Sequence, residues 1–364
     1  MAESPKVRIA LIGGGTIAPL HVKHLMSSPT CELVAIVDPY HPGRELASSL
    51  SLPHFESVAS LLNALQKPPE AYVICVPSSL HVSIATDVIY RARPKALLIE
   101  KPFCTDSKSG TELLALANEK GCGTPPQIPS LAVNYTVAIS GLWTAKKDEG
   151  YFTSASWRAT RSAGGGPIWT NFVHDIDALH FLTGARMTCV WAINTIPRRK
   201  HESVAAENIV EEGAAIMAQF SNGVVGTFLV SDNVASPYGW ESATGDNPLY
   251  PKAEIPVDIY SILGTKGTIV VPDNTLWTYD SETTGRYHQE AGWKTPMTRV
   301  KLPVAQGIPF QQQAEHLARV VRDLEDPICS AEDGLAAVSV CEAIVTALKA
   351  KDGLPVSVLD MSHI

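Results

Sequence analysis

The stretch "VRIALIGGGTIAPLH", Val7–His21, decides the fold. Its first six residues form an apolar run interrupted only by Arg8, which reads as a buried strand. Three glycines follow, and then a helical pattern over 17–27. Gly13, Gly15 and Ala18 occupy the G-x-G-x-x-G/A positions directly between strand and helix. The first glycine permits a tight turn, the second lets the backbone approach a pyrophosphate, and the small third residue lets helix and strand pack closely. Thr16 and Ile17 then open the helix, whose free N–H groups and partial positive charge favour phosphates.

Working outward, the next strand, "CELVAIVDP", ends in Asp38, 25 positions after Gly13. A carboxylate at that strand end accepts hydrogen bonds from ribose hydroxyls and repels a 2′-phosphate, so NAD is the expected cofactor. His41 and Arg44 follow closely and keep NADP open. Helical patterns near 42–50, at 80–92 and at 107–120 alternate with the strands "AYVICVPSS" and "KALLIEKP". Such alternation predicts a parallel sheet with right-handed crossovers. The fold class is α/β: an N-terminal doubly wound parallel (Rossmann) sheet over 1–124, then a C-terminal α+β domain over 125–364.

The grammar changes after "GCGTPPQIPS", a connector rich in Pro, Gly and Ser. "AAIMAQFSNGVVGTFLVSD" places Asn222-Gly223 between two apolar runs, a hairpin signal, and "DIYSILGTKGTIVVP" repeats the plan around Gly264 to Gly267. The second sheet is therefore expected to be largely antiparallel, with amphipathic helices near 308–325 and 332–350. Residues 232–256 carry Tyr238, Trp240 and Tyr250 on a segment rich in turn formers. It is read either as a lid or binding loop, or as a surface insertion packing its own aromatics.

Composition excludes several functions. The 364 residues carry 29 Lys+Arg against 37 Asp+Glu, a net charge of −8 without a basic cluster, which argues against nucleic acid and acidic membranes as partners. A small molecule is the expected partner. The seven cysteines are scattered without C-x-x-C spacing, which indicates neither a disulfide framework nor a metal site. No apolar run approaches the roughly 18 residues of a membrane span. The N-terminus lacks signal-peptide grammar, so a cytoplasmic location is expected, with the Ser-His-Ile tail only loosely like a peroxisomal signal.

Four motifs in order, the glycine turn followed by His21, "CVPSSLH" with Pro77 and His81, "EKP" at 100–102, and "GGGPIWTNFVHDIDALHFLTG" at 164–184, resemble the glucose-fructose oxidoreductase/inositol dehydrogenase/MocA family. The resemblance runs from position 7 to about 350. It implies a two-domain NAD(P)-dependent dehydrogenase acting on a secondary alcohol of a sugar, polyol or related ring. The family's EKP lysine corresponds to Lys101 and its motif histidine to His174, and Pro77, His81 and Glu100 fall at the cofactor site with Lys101. The family often carries an aspartate one turn before that histidine. Here the position is Thr170, with Asn171 beside it.

The residues carry this chemistry on their own terms. The segment 167–182 reads as a helix on which Thr170, Asn171, His174 and Asp177 share a face. His174, of a type with a pKa near 6.5, suits proton exchange, and Asp177 could orient it or brace the helix. Lys101 is a point charge able to bond a substrate hydroxyl and lower its pKa. Tyr135 and Arg161 are further substrate candidates, "SWRATRSAGGGP" placing Arg158 and Arg161 on a strand that leads into this helix, with an ordinary surface role for Arg161 equally open. Two other readings stay open: a glycosidase working through transient oxidation, and a non-catalytic NAD-binding sensor. The exposed face of the second sheet is a natural surface for a homodimer or homotetramer.

Overall fold

The computed structural model describes residues 5–122, 136–199, 205, 208–245, 247, 250–279, 292–303, 307–350 and 353–360. Tyr135 lies outside them. By contacts the chain forms two units. One takes the described residues up to 122 together with 307–338, and the other takes 136–303 and 339–360.

In the first unit the apolar runs become β1 (Val7–Ile12), β2 (Cys31–Val37), β3 (His54–Phe55), β4 (Ala71–Ile74) and β5 (Ala96–Ile99). Between and after them run α1 (Ala18–Ser27), α2 (His41–Ser49), α3 (Val58–Ala64), α4 (His81–Ala92) and α5 (Ser107–Lys120). The strands are parallel in the order β3-β2-β1-β4-β5, so the topological switch lies between β1 and β4, where doubly wound sheets bind ligands. Alternation along β1 sends Val7, Ile9 and Leu11 to one core and Ala10 and Ile12 to the other.

The first core shows why the division expected at 124/125 is incomplete. Helix α9 (Pro309–Val321) places Ala314, Leu317, Ala318 and Val321 against Ile9, Val22, Leu25 and Leu33. Burial of such side chains is worth about 1.5–3 kcal/mol each for the larger ones, which draws this distant segment back into the first unit.

The second unit begins with β6 (Thr136–Thr144), α6 (Glu149–Thr153), α7 (Val173–Thr183), β7 (Met187–Asn194), β8 (Gly213–Phe220), β9 (Val225–Ser231) and α8 (Trp240–Thr244). It continues through β10 (Tyr260–Gly264), β11 (Gly267–Val271), β12 (Thr275–Thr278), β13 (Thr298–Lys301) and β14 (Val356–Ser357). Helix α10 (Ala331–Lys349) precedes β14 in the chain. The strands form one sheet, β13-β12-β11-β10-β6-β9-β8-β7-β14, antiparallel throughout except for the β6–β9 pair. Gly223, at φ 87°, turns the expected β8–β9 hairpin.

Two local expectations are corrected. The stretch carrying Arg158 and Arg161 is no strand: 3-10 turns occupy Ser156–Ala159 and Arg161–Ala163, with local bonds such as Thr160 N to Trp157 O satisfying the backbone. The helix over 167–182 opens with a π-helical turn, Ile168–Phe172, before α7. No helix among the described residues is long and apolar enough to cross a membrane.

Candidate active site

At the strand tips of the first unit, the glycine turn is held by sterics and by Asp38. Gly13 has φ +93°, and a Cβ there would fall 2.7 Å from the Cys75 carbonyl oxygen. At Gly14 a Cβ would meet Gly43 Cα at 2.4 Å, whereas at Gly15 the nearest neighbour is 4.0 Å away, so that backbone is exposed and approachable. The Gly14 amide donates to Asp38 Oδ2 at 2.6 Å and the Tyr40 amide to Oδ1 at 2.8 Å. Asp38 is buried, yet each carboxylate oxygen retains a lone pair for a ribose hydroxyl. Thr16 is exposed and Ile17 caps α1, whose first-turn amides face the turn. This cradle, into which side chains do not fit and which ends in a carboxylate, suits the pyrophosphate and ribose of NAD.

The tip of β5 carries a second constellation. His21 donates from Nε2 to Glu100 Oε1 at 2.6 Å, and the Lys101 amide donates to Glu100 Oε2 at 3.2 Å. Burial pushes the Glu100 carboxyl up, but the His21 hydrogen bond and the charges of His21 and Lys101 outweigh it and hold the group below its ordinary value. Glu100 therefore stays ionised and braces the turn that presents the exposed Lys101. His81 is buried, with Nδ1 2.8 Å from the Pro102 carbonyl and Nε2 2.9 Å from that of Val76. Burial lowers its pKa against the pull of both carbonyls and Glu100, so the ring ties the β4 and β5 tips together. Pro77 is exposed at the start of the intervening 3-10 turn.

In the second unit, the π-helical turn that leads into α7 follows Gly166, which at φ +93° stands against the Glu211 carboxylate. Glu211 is buried. Its pKa is raised by burial, against the pull of its own amide, the Arg161 charge and the Ile168 amide. Arg161 is committed here: its Nη2 donates to the Ile209 carbonyl at 2.8 Å and its Nη1 stands 3.6 Å from Glu211. His174 is exposed on α7. The π-helical turn before it has more residues per turn than an α-helix, so Thr170 and Asn171 depart from the angular positions an unbroken α-helix would give them.

Thr170 and Asn171 meet a lysine that sequence reasoning missed. Lys147 Nζ donates to Asn171 Oδ1 at 2.6 Å, to Tyr151 OH at 3.2 Å and to Thr170 Oγ1 at 3.4 Å. Its ammonium also lies 4.4 Å from the Tyr151 ring centroid and 5.6 Å from that of Trp143. The i, i+4 pairing of Lys147 and Tyr151 in "KKDEGY" is the one local signal that could have exposed it. The buried acid of α7 is Asp175 rather than the half-buried Asp177. It accepts a 2.6 Å hydrogen bond from Tyr260 OH, and burial first, then the nearby Glu241 charge, push its pKa up to about 7. Nearby, Arg199 pairs with Asp232 and lies 4.2 Å over the Phe152 ring, while the backbone amides of Arg198 and Arg199 donate to Glu212 at 2.9 and 2.7 Å. Loop 232–256 contributes α8 and Tyr250 to this region.

A doubly wound sheet with a glycine turn braced by an acidic strand end, followed by a predominantly antiparallel sheet unit, defines an NAD-binding oxidoreductase. The comparisons agree: residues 7–124 match the family model described as "Oxidoreductase family, NAD-binding Rossmann fold", and residues 133–358 match "Oxidoreductase family, C-terminal alpha/beta domain". The chain belongs to this oxidoreductase family, the glucose-fructose oxidoreductase/inositol dehydrogenase/MocA group. It is 22% identical over 191 residues to the rhizopine catabolism protein MocA of Rhizobium meliloti, a match covering 50% of this chain and 59% of that protein. In fold it is similar to the WlbA dehydrogenase from Bordetella pertussis, solved with NADH and UDP-GlcNAcA, at TM-score 0.71 and 19% identity over 98% of this chain and 100% of that one. It is also similar to the UDP-N-acetylglucosamine 3-dehydrogenase GnnA from Acidithiobacillus ferrooxidans, at TM-score 0.67 and 17% identity over 95% and 99%.

Proposed function

We propose that this protein is an NAD-dependent dehydrogenase for a secondary alcohol of a sugar, polyol or related ring. The observation that carries the reading is the glycine cradle ending in Asp38, on a chain that also presents Lys101 and His174 at exposed positions. Gly13, Gly15, Thr16, Ile17 and Asp38 would hold the cofactor, with Pro77 and Glu100 beside it, and bound NAD supplies the two-electron redox chemistry. Lys101 donates from Nζ to the substrate oxygen and stabilises the charge that develops there. His174 takes the hydroxyl proton on an imidazole nitrogen and returns it in the reverse direction. Asn171 and Thr170 orient the substrate from the turn before it, and Asp177 remains a candidate for orienting it from the turn after. Arg161 acts through Glu211 and the start of the catalytic helix. NADP is the weaker cofactor, because the Asp38 carboxylate repels a 2′-phosphate.

NAD and NADP are to be assayed side by side with inositols, hexoses and pentoses. Net NADH formation is expected, Lys101→Ala and His174→Ala each lowering kcat about 100-fold or more while NAD binding persists. Product release without net NADH would favour the transient-oxidation glycosidase, and tight NAD binding with no turnover would favour the sensor. We place the enzyme in the cytoplasm, in keeping with the buried thiols of Cys31, Cys75, Cys104 and Cys341. We expect it to work as a homodimer or homotetramer.

A further inference from the structure

Glycine is the poorest helix former after proline, yet Gly43 stands buried in the first turn of α2, without the left-handed φ that would call for it. What it supplies is room on two sides. A Cβ on Gly43 would fall 2.1 Å from Asp38 Cβ, 2.7 Å from its Cγ and 2.8 Å from its Oδ2, so the three nearest atoms all belong to the acidic strand end. A Cβ on Gly14 would in turn fall 2.4 Å from Gly43 Cα and 2.6 Å from its nitrogen. The first turn of α2 is thus pressed against both the Asp38 side chain and the glycine turn, and only a bare Cα fits there.

The surrounding contacts leave one soft coordinate. The Asp38 backbone is fixed, its amide donating to the Phe55 carbonyl at 2.9 Å and its carbonyl standing 2.8 Å from His54 Nε2. Helix α2 is seated by Ala47, which is fully buried in the core with Leu46 and Leu50 packed against that core. A methyl group at position 43 is therefore accommodated by turning the Asp38 side chain about χ1. That rotation carries Oδ2 off the Gly14 amide and Oδ1 off the Tyr40 amide, and removes from the cradle the carboxylate that faces a ribose and repels a 2′-phosphate. Arg44 comes next in the chain. It is exposed and paired at 3.3 Å with the equally exposed Glu56, a surface pair of small worth from which a phosphate can draw it.

We infer that Gly43 is a specificity-determining position for the cofactor: its missing side chain lets Asp38 lie clamped between α2 and the glycine turn, and through Asp38 it favours NAD over NADP. The inference rests on the cofactor cradle of the proposed dehydrogenase and adds to it a residue outside the glycine motif.

The test reads binding alone. NADH and NADPH are titrated into the full-length protein, without substrate, by the fluorescence of the reduced nicotinamide. The wild type should bind NADH more tightly. Gly43→Ala should weaken NADH about ten-fold, as for loss of a charge-assisted hydrogen bond, and leave NADPH unchanged or tighter, so that the ratio of the two dissociation constants narrows at least as much. A merely structural defect would weaken both alike. An unchanged ratio, or a wild type that prefers NADPH, overturns the inference and leaves the dehydrogenase reading in place. Asp38→Gly removes the atoms that the methyl group would strike, so Asp38→Gly/Gly43→Ala should show the same ratio as Asp38→Gly. A further fall would mean that Gly43 acts by another route, which also overturns it. Should Gly43→Ala fail to fold, the double variant still decides: circular dichroism should show folding restored, and a double variant that stays unfolded where Asp38→Gly folds counts against the clamp. A wild type that binds neither dinucleotide would remove the cofactor reading and this inference together. A narrowed ratio in a protein that yields no NADH from any sugar would uphold the inference and favour the sensor.

Discussion

At the scale of single residues, Asp175 is the group whose charge state the fold controls most strongly. It is buried, its partner is the Tyr260 hydroxyl, and its pKa stands at about 7 in the folded protein against an ordinary 3.8. Because the folded state holds this proton more tightly, the group's adverse contribution is absent below the unfolded pKa. It grows as pH rises through the window from 3.8 to about 7, and is complete above it. Asp175→Asn keeps an oxygen for Tyr260 and carries no charge. Its unfolding free energy should match the wild type near pH 4 and exceed it near pH 8 by on the order of a few kcal/mol, with the melting temperature rising accordingly. Thermal melts of the two proteins at the two pH values decide it, and an equal difference at both would refute the assignment. The neighbouring residue, His174, drew attention in the sequence because a motif surrounds it. Asp175 was not, because its importance comes from a tyrosine 85 positions away.

At the scale of elements, the start of the helical segment leading into α7 depends on one glycine and one carboxylate. Gly166 has φ +93°, and a Cβ there would stand 2.5 Å from Glu211 Oε1. Gly166→Ala is therefore expected to cost roughly 1–3 kcal/mol. It should also displace the π-helical turn carrying Thr170 and Asn171, lowering kcat/KM while NAD binding, made by the other unit, stays intact. Cofactor titration alongside steady-state kinetics checks this, and weakened NAD binding would count against it. Strands β1, β2, β4 and β5 were readable because each is a contiguous apolar run ending at a turn signal. The β3–α3 pair was not: β3 is two residues long, and the capping box of α3 uses Ser60 where a glutamate would have been noticed. The "SWRAT" stretch alternates like a strand, but Gly164 at φ 77° and the local bonds before it curl the chain into 3-10 turns. Lys147 escaped notice because Asn171, its closest partner, lies 24 positions away across several turns.

At the scale of the whole molecule, the second sheet has one face that its own unit leaves exposed. Ile193, Met217, Val225 and Leu229 are 70%, 51%, 50% and 37% exposed. The register aligns Ile193 with Ala215, Ala215 with Leu229, and Met217 with Thr227, so these side chains form one contiguous apolar area on three neighbouring strands. Scattered exposed apolar residues are ordinary, but a contiguous area on a regular sheet is where a second copy gains most by burial. A net charge of −8 opposes close approach of two chains elsewhere on the surface, and this area carries no charge to add to that repulsion. Light scattering at micromolar concentration should give at least twice the 39.1 kDa chain mass. Met217→Lys/Leu229→Lys should reduce the particle to one chain. Because both side chains point away from the core, the far-ultraviolet circular dichroism should be retained. Loss of that signal would mean the residues support the fold itself, and a wild-type particle of one chain at every concentration would remove the case for this surface.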